Sequence, residues 1–103
     1  MTDQVKAQRE LMRWELIRAM DKNRPYTNSE TFLLSIIQVI MPGATALELR
    51  RELDYLESRE LAEIARQPSG LWFADLTRLG VDIAEYTVDC DAGIARPVKY
   101  WSA

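Results

Sequence analysis

Residues 45–61, TALELRRELDYLESREL, constrain the fold more than any other stretch of the chain, because they read as one helix with a buried side and a displayed side. Thr45 offers an N-cap hydroxyl and Glu48 follows three residues later, so the two make a capping box for amides that a helix start leaves without acceptors. Leu49, Leu53 and Leu56 then recur at spacings of four and three, the repeat of one helical face. That face belongs to a core. Arg50, Arg51, Asp54, Tyr55 and Glu57 point elsewhere, and they are the side chains such a helix would present to a partner.

The segments on either side supply the packing. Residues 4–22 carry Val5, Leu11, Trp14, Leu16, Ile17 and Met20 as a broad apolar stripe, with Asp3 as the expected cap. Arg24-Pro25 closes this helix, since a residue before proline is pushed out of helical backbone angles. A second helix is expected from Asn28 or Ser29; its TFLLSIIQVIM is apolar on nearly every side, which predicts a buried segment. Pro42-Gly43 breaks it and leads directly into the helix at 45–61. Two helices joined by a tight glycine-containing turn, the second capped and half exposed, form a helix-turn-helix candidate.

After Leu61 the hydrophobic repeat changes from helical to alternating. Ala62 and Ile64, then the turn RQPSG, then Trp72, Ala74 and Leu76 read as a hairpin. With Leu76 inward, alternation turns Trp72 and Ala74 inward too and leaves Leu71 and Phe73 on the outer face, where two apolar side chains call for cover by a partner. Thr77 caps a short fourth helix to about Tyr86, and residues 87–103 read as an irregular tail.

Composition limits the chemistry. At 103 residues, 48% hydrophobic and 28% charged, the chain is a single globular domain rather than a disordered one. It has no apolar run of about 18 residues and its N-terminus is charged, so the expectation is a cytoplasmic protein without a membrane segment. With no histidine and one cysteine, neither an internal disulfide nor a transition-metal ligand set is available, and no cofactor is expected. Cys90 has no histidine to activate it, Asp89 and Asp91 lack a ligand spacing, and no glycine-rich phosphate loop is present, so an enzyme is not expected. The net charge of −3 works against phosphate binding, and its distribution adds to this: residues 1–25 sum to +2, whereas residues 44–61 sum to −2.

The string LRRELDYLESRELAEIARQPSGLWFADLTRLGVDIAE resembles the recognition helix, wing and closing helix of winged helix-turn-helix proteins: L-x-x-x-L-x-x-L-E-x-x-x-L, a hairpin, then L-T-x-x-G. The resemblance spans residues 10–86 in element order. It implies a mainly α fold with a small β-hairpin, in which a three-helix core, a wing and a short fourth helix make a domain of residues 1–86. Residues 87–103 would then be a tail packed on that domain or on a partner subunit. Glu60 stands where the family usually has a glycine before the first wing strand. Through the GIARPVKYW ending, the whole chain is similar to small winged-helix proteins of Mu-like bacteriophages and prophages, described as ArsR-like.

The resemblance implies double-stranded DNA as the ligand and transcription regulation as the role, with the second helix of the motif in the major groove and the hairpin tip at a phosphate or minor groove. Carried over by position, the DNA-facing residues would be Thr45, Ala46, Glu48, Arg50, Arg51 and Tyr55, with Arg66, Gln67 and Ser69 on the wing. Arg50 and Arg51 lead that set because arginine reads guanine in bidentate fashion. Metal sensing of the ArsR kind needs clustered thiolates and is rejected on Cys90 alone.

Two functions stay open. The first is a DNA-binding regulator acting as a homodimer, for which Leu11 and Trp14 on the N-terminal helix, Leu71 and Phe73 on the wing, and Tyr100 and Trp101 in the tail are interface candidates. For Trp14 and Trp72, packing inside the domain is the favoured reading. The second is a protein-interaction module that does not touch DNA, in which Arg50 and Arg51 form ion pairs with Glu48, Glu52, Asp54 and Glu57 on a solvated helix. The acidic balance of residues 44–61 favours the second, and the overall pattern favours the first.

Overall fold

The computed structural model describes residues 2–99. Tyr100 and Trp101 lie outside the described residues. Helices α1 (Asp3–Lys22), α2 (Glu30–Ile40) and α3 (Ala46–Ser58) precede strands β2 (Ala62–Arg66) and β3 (Trp72–Leu76) and helix α4 (Arg78–Glu85), and a two-residue strand β1 (Asn28–Ser29) comes just before α2. The sheet is antiparallel with order β1-β3-β2.

Helix α3 starts as its sequence requires. The Thr45 hydroxyl accepts from the Glu48 amide at 3.2 Å, and the Glu48 carboxylate accepts from the Thr45 amide at 3.0 Å, so both halves of the capping box are made. Leu49, Leu53 and Leu56 are fully buried among Leu16, Ile17 and Met20 of α1 and Leu33 and Ile37 of α2. The helix ends on Glu60 in the left-handed region, φ 63°. The Glu60 amide bonds to Glu57 and the Leu61 amide reaches back to Leu56, a glycine-type helix stop built on a glutamate.

The L-T-x-x-G sequence is a clamp between that stop and α4. Thr77 donates its amide to the Leu61 carbonyl at 3.1 Å and its hydroxyl to the Glu60 carbonyl at 2.7 Å, while the same hydroxyl accepts the Gly80 amide at 3.1 Å. A Cβ on Gly80 would fall inside contact distance of the Leu61 carbonyl oxygen, so only glycine lets α4 approach this closely. In the hairpin, Ala74 is buried while Trp72 and Leu76 pack on the core. Leu71 and Phe73 are half-exposed on the opposite side of β3, as the alternation requires.

Four expectations are corrected. The α1 cap is Thr2, whose hydroxyl accepts from Val5; Asp3 is instead the first helical residue, where a carboxylate suits the helix dipole. The sheet has a third strand: Asn28 and Ser29 pair with Ala74 and Phe73, and the buried Asn28 side chain donates to the Ala74 carbonyl and accepts from Asn23. Helix α2 is not buried throughout. Leu33 and Ile37 are sealed, but Phe32 is 41%, Val39 83% and Ile40 46% exposed, because α1 and α3 cover only one side of it. Trp14 is not an interface residue: it is 4% exposed and meets Tyr86 edge-to-face at 6.0 Å inside the domain.

Residues 87–99 form no helix or strand and run back over α1, α3 and α4. Ala95 donates to the Glu10 carbonyl, Arg96 donates to the carbonyls of Ile83 and Val88, and Tyr86 donates to the Pro97 carbonyl. Arg59 pairs with Asp91 at 3.2 Å. Among the described residues no helix is long and apolar enough to cross a membrane.

Candidate nucleic-acid interface

Turning the leucine face of α3 inward puts Leu47, Arg51, Asp54 and Ser58 on the outward side, at spacings of four, three and four. Leu47 is 70% exposed, and Thr45, Ala46 and Arg51 are exposed beside it. Arg51 has no ion-pair partner among the described residues. The wing tip, with exposed Gln67 and Ser69, is joined to the helix by Arg50, which donates to the Gly70 carbonyl at 2.6 Å.

Arg50 is also held from behind. Its guanidinium makes two hydrogen bonds of 2.7 Å to the Glu30 carboxylate and lies 4.5 Å from the centre of the Trp72 ring. Glu30 additionally accepts the Trp72 amide at 2.6 Å. The Arg50 guanidinium holds the Glu30 carboxyl below the usual glutamate range, against the opposing effect of burial. One buried carboxylate thus fixes the start of α2, the middle of α3 and the start of β3 relative to one another.

Arg66 has a similar surround on the wing. It bonds Asp54 at 2.7 Å and Glu57 at 2.9 and 3.1 Å, and lies 4.4 Å from the Trp72 ring centre. This pairing holds the Glu57 carboxyl below its ordinary range. Arg50 and Arg66 therefore share Trp72 as a stacking platform, and both spend their fork-shaped donors on carboxylates. The helix does form ion pairs, but they run to α1, α2, the wing and the tail rather than along one helix face.

Thr45, Ala46 and Arg51 on α3 and Arg66, Gln67 and Ser69 on the wing are exposed, and Arg50 is half-buried between them. Tyr55 is elsewhere: half-buried, with the Arg13 guanidinium 3.6 Å above its ring and its hydroxyl against Gly93 of the tail. Glu48 is occupied by the capping box, its carboxylate accepting both the amide and the hydroxyl of Thr45. Leu11 lines a groove beside α2, and Leu71 and Phe73 flank the wing. Cys90 is half-buried, and burial pushes its thiol above the usual range.

Leu47 and Glu30 are not among the residues the sequence singles out, and Glu52, expected to pair with Arg50 or Arg51 on a solvated face, lies elsewhere. Glu52 is buried, accepting from Arg13 Nε at 2.8 Å and Arg9 Nε at 3.0 Å, and it joins α1 to α3. The signal was present: Glu52 lies three after Leu49 and four before Leu56, on the core side of the helix. Leu47 was equally legible as the outward position before Arg51. Glu30 was not, because its partner Arg50 is 20 residues away and no local pattern joins them.

The elements form a winged helix-turn-helix domain with a third, short strand on the wing sheet. No family model and no curated protein matches the chain. Among solved structures, it is similar to a presumed DNA-binding protein from Ralstonia eutropha JMP134, with 21% identity and a TM-score of 0.63 over 76% of this chain and 95% of that one. Likeness at that identity is likeness of fold.

Proposed function

We propose that the chain binds double-stranded DNA sequence-selectively, as a small regulator of phage or prophage transcription, through the N-terminal half of α3 and the wing tip. The observation that carries this reading is the uncommitted Arg51, exposed with Thr45, Ala46 and Leu47 on the outward side of a helix-turn-helix second helix. The DNA-binding description of the Ralstonia protein supports the ligand, and the resemblance to Mu-like phage proteins supports the setting.

In this reading Arg51 supplies the base or phosphate contact and Leu47 packs on a thymine methyl. Arg50 and Arg66 act as positioning residues that fix the wing relative to the helix. Few cations are then free to neutralise phosphates, so binding has a shallow salt dependence, about 0.9 log units per phosphate contact. The test is a selection from random duplexes at physiological salt, followed by a salt titration. An enriched sequence is expected, and Arg51→Ala should weaken its binding about tenfold, at the low end of a bidentate base contact. Failure of any duplex to enrich, or equal binding by Arg51→Ala, overturns the reading.

One observation favours a second reading, a protein-interaction module. Glu30, Asp54 and Glu57 neutralise two of the arginines, leaving a mixed face of Leu47, Arg51 and Asp54. A selection that enriches no duplex is the outcome this reading expects.

A further inference from the structure

A groove of about 540 Å³ opens where the N-terminal half of α1 meets the bend between α2 and α3. Small-molecule sites span roughly 300–1,000 Å³, so the space is of the right size for one. Helix phase builds the α1 wall: Val5, Arg9 and Met12 recur at spacings of four and three, with Leu11 beside them. Ile40 and Met41 at the end of α2 complete an apolar lining without an aromatic ring, and its two methionines let it adapt to an aliphatic shape. Glu48, Arg51 and Glu52 of α3 form the opposite wall.

The two signs of charge in this groove are unequally available. Both Glu52 oxygens are taken, one by Arg13 at 2.8 Å and the other by Arg9 at 3.0 Å. Glu48 is bound into the capping box at the start of α3, where the helix dipole offsets its charge. The cations are not used up. Arg9 gives Glu52 only its Nε, which leaves its terminal nitrogens without an acceptor among the described residues, and Arg51 has no ion-pair partner there. A cationic ligand would meet carboxylates already occupied, whereas an anion would meet guanidinium donors to spare.

We infer that the groove binds a small monocarboxylic acid with an aliphatic body. The body lies against Val5, Leu11, Met12, Ile40 and Met41, and the carboxylate meets Arg51 and the terminal nitrogens of Arg9. Arg51 held by a carboxylate is withdrawn from a duplex, so the acid and DNA weaken each other's binding by the same factor. That coupling rests on the DNA-binding reading, whereas the site itself does not.

Octanoate titrated into the methyl-labelled full chain and followed by proton–carbon correlation NMR tests the site. The methyls of Val5, Leu11, Met12, Ile40 and Met41 should shift together and saturate in the low millimolar range, while those of Val39, Leu79 and Val98, exposed outside the groove, should stay in place. Octanol, the same chain without the charge, should bind about tenfold more weakly, and Arg51→Gln should weaken octanoate about tenfold while leaving octanol unchanged. Arg51 is exposed and outside the core, so this substitution leaves the fold intact. Shifts that spread to Val39, Leu79 and Val98, a failure to saturate, or equal octanoate binding by Arg51→Gln overturns the site. Octanoate should also release a selected duplex. A duplex that stays bound while the groove methyls shift would overturn the shared use of Arg51, and a chain that selects no duplex would refute the DNA reading while the methyl shifts still decide the site.

Discussion

Gly80→Ala is the substitution on which helix propensity and packing disagree most clearly. Gly80 sits in the first turn of α4, and alanine is favoured over glycine in a helix by about 0.8–1 kcal/mol, so local reasoning alone expects a gain. The added methyl would have to displace the Leu61 carbonyl and the Leu76 Cδ2 atom, which lies 2.9 Å from the Cβ position. Overpacking of this kind costs about 1–3 kcal/mol. The Leu61 carbonyl cannot move freely, since it accepts the Thr77 amide, and shifting Thr77 also strains the Gly80 cap; these two hydrogen bonds contribute about 1 kcal/mol each. The balance is a net loss of about 2–3 kcal/mol, or roughly 10–20 °C in Tm for a domain of this size. Urea unfolding followed by far-ultraviolet circular dichroism measures it. Gly43→Ala is the control, because a Cβ there meets nothing within 4 Å, and it should change stability by less than about 0.5 kcal/mol. A Gly80→Ala midpoint equal to or above the parent's would refute the clamp.

Three further outcomes follow from the same contacts. Glu60→Gly should stabilise the fold by about 0.5–1 kcal/mol in urea, because relief of the left-handed strain at φ 63° outweighs the extra freedom of an unfolded glycine. Glu52→Ala should destabilise by about 3 kcal/mol, since it takes from the buried Arg13 guanidinium its carboxylate and leaves it the Gly93 carbonyl; an unchanged urea midpoint would remove Glu52 from the α1–α3 junction. Glu30 and Glu57 have lowered carboxyl values in the fold, so their contribution is present above the ordinary glutamate value of 4.5 and is lost as pH falls through their folded values. Glu30→Gln should therefore flatten the acid limb of the stability curve, and an identical limb in parent and variant would contradict the Arg50 pairing.

The fold was legible where local rules and tertiary packing agree. The capping box at Thr45 and Glu48, the leucine repeat of α3, the inward parity of Ala74 and the Thr77 cap all follow from short-range spacing, and each has the partner that spacing names. Strand β1 was not legible, because two residues are too few to show an alternation and their partners lie more than 40 positions further on. The exposure of α2 was illegible for another reason. An apolar helix facing a core and one facing a second molecule have the same composition, so periodicity cannot separate them. At the candidate site, the exposure of Arg51 followed from helix phase, whereas the capture of Arg50 by Glu30 and of Arg66 by Asp54 and Glu57 depends on how three elements meet.

That capture decides what the outer face can do. An unpaired arginine offers its charge to a phosphate directly, but Arg50 or Arg66 would first have to give up a carboxylate of comparable hydrogen-bonding power, so the net gain from switching partners is small. If DNA is the ligand, nonspecific attraction to it should be correspondingly weak, in keeping with a net charge of −3. Discrimination between sequences would then rest on Arg51, Leu47 and the fixed spacing between helix and wing. The balance is adjustable. Asp54 is exposed and holds Arg66 through a single 2.7 Å contact, so Asp54→Asn removes one negative charge without touching the core. If the outer face meets DNA, this change should tighten duplex binding and steepen its salt dependence at the same stability. If the face meets a protein, duplex binding should stay absent and only the protein contact should respond.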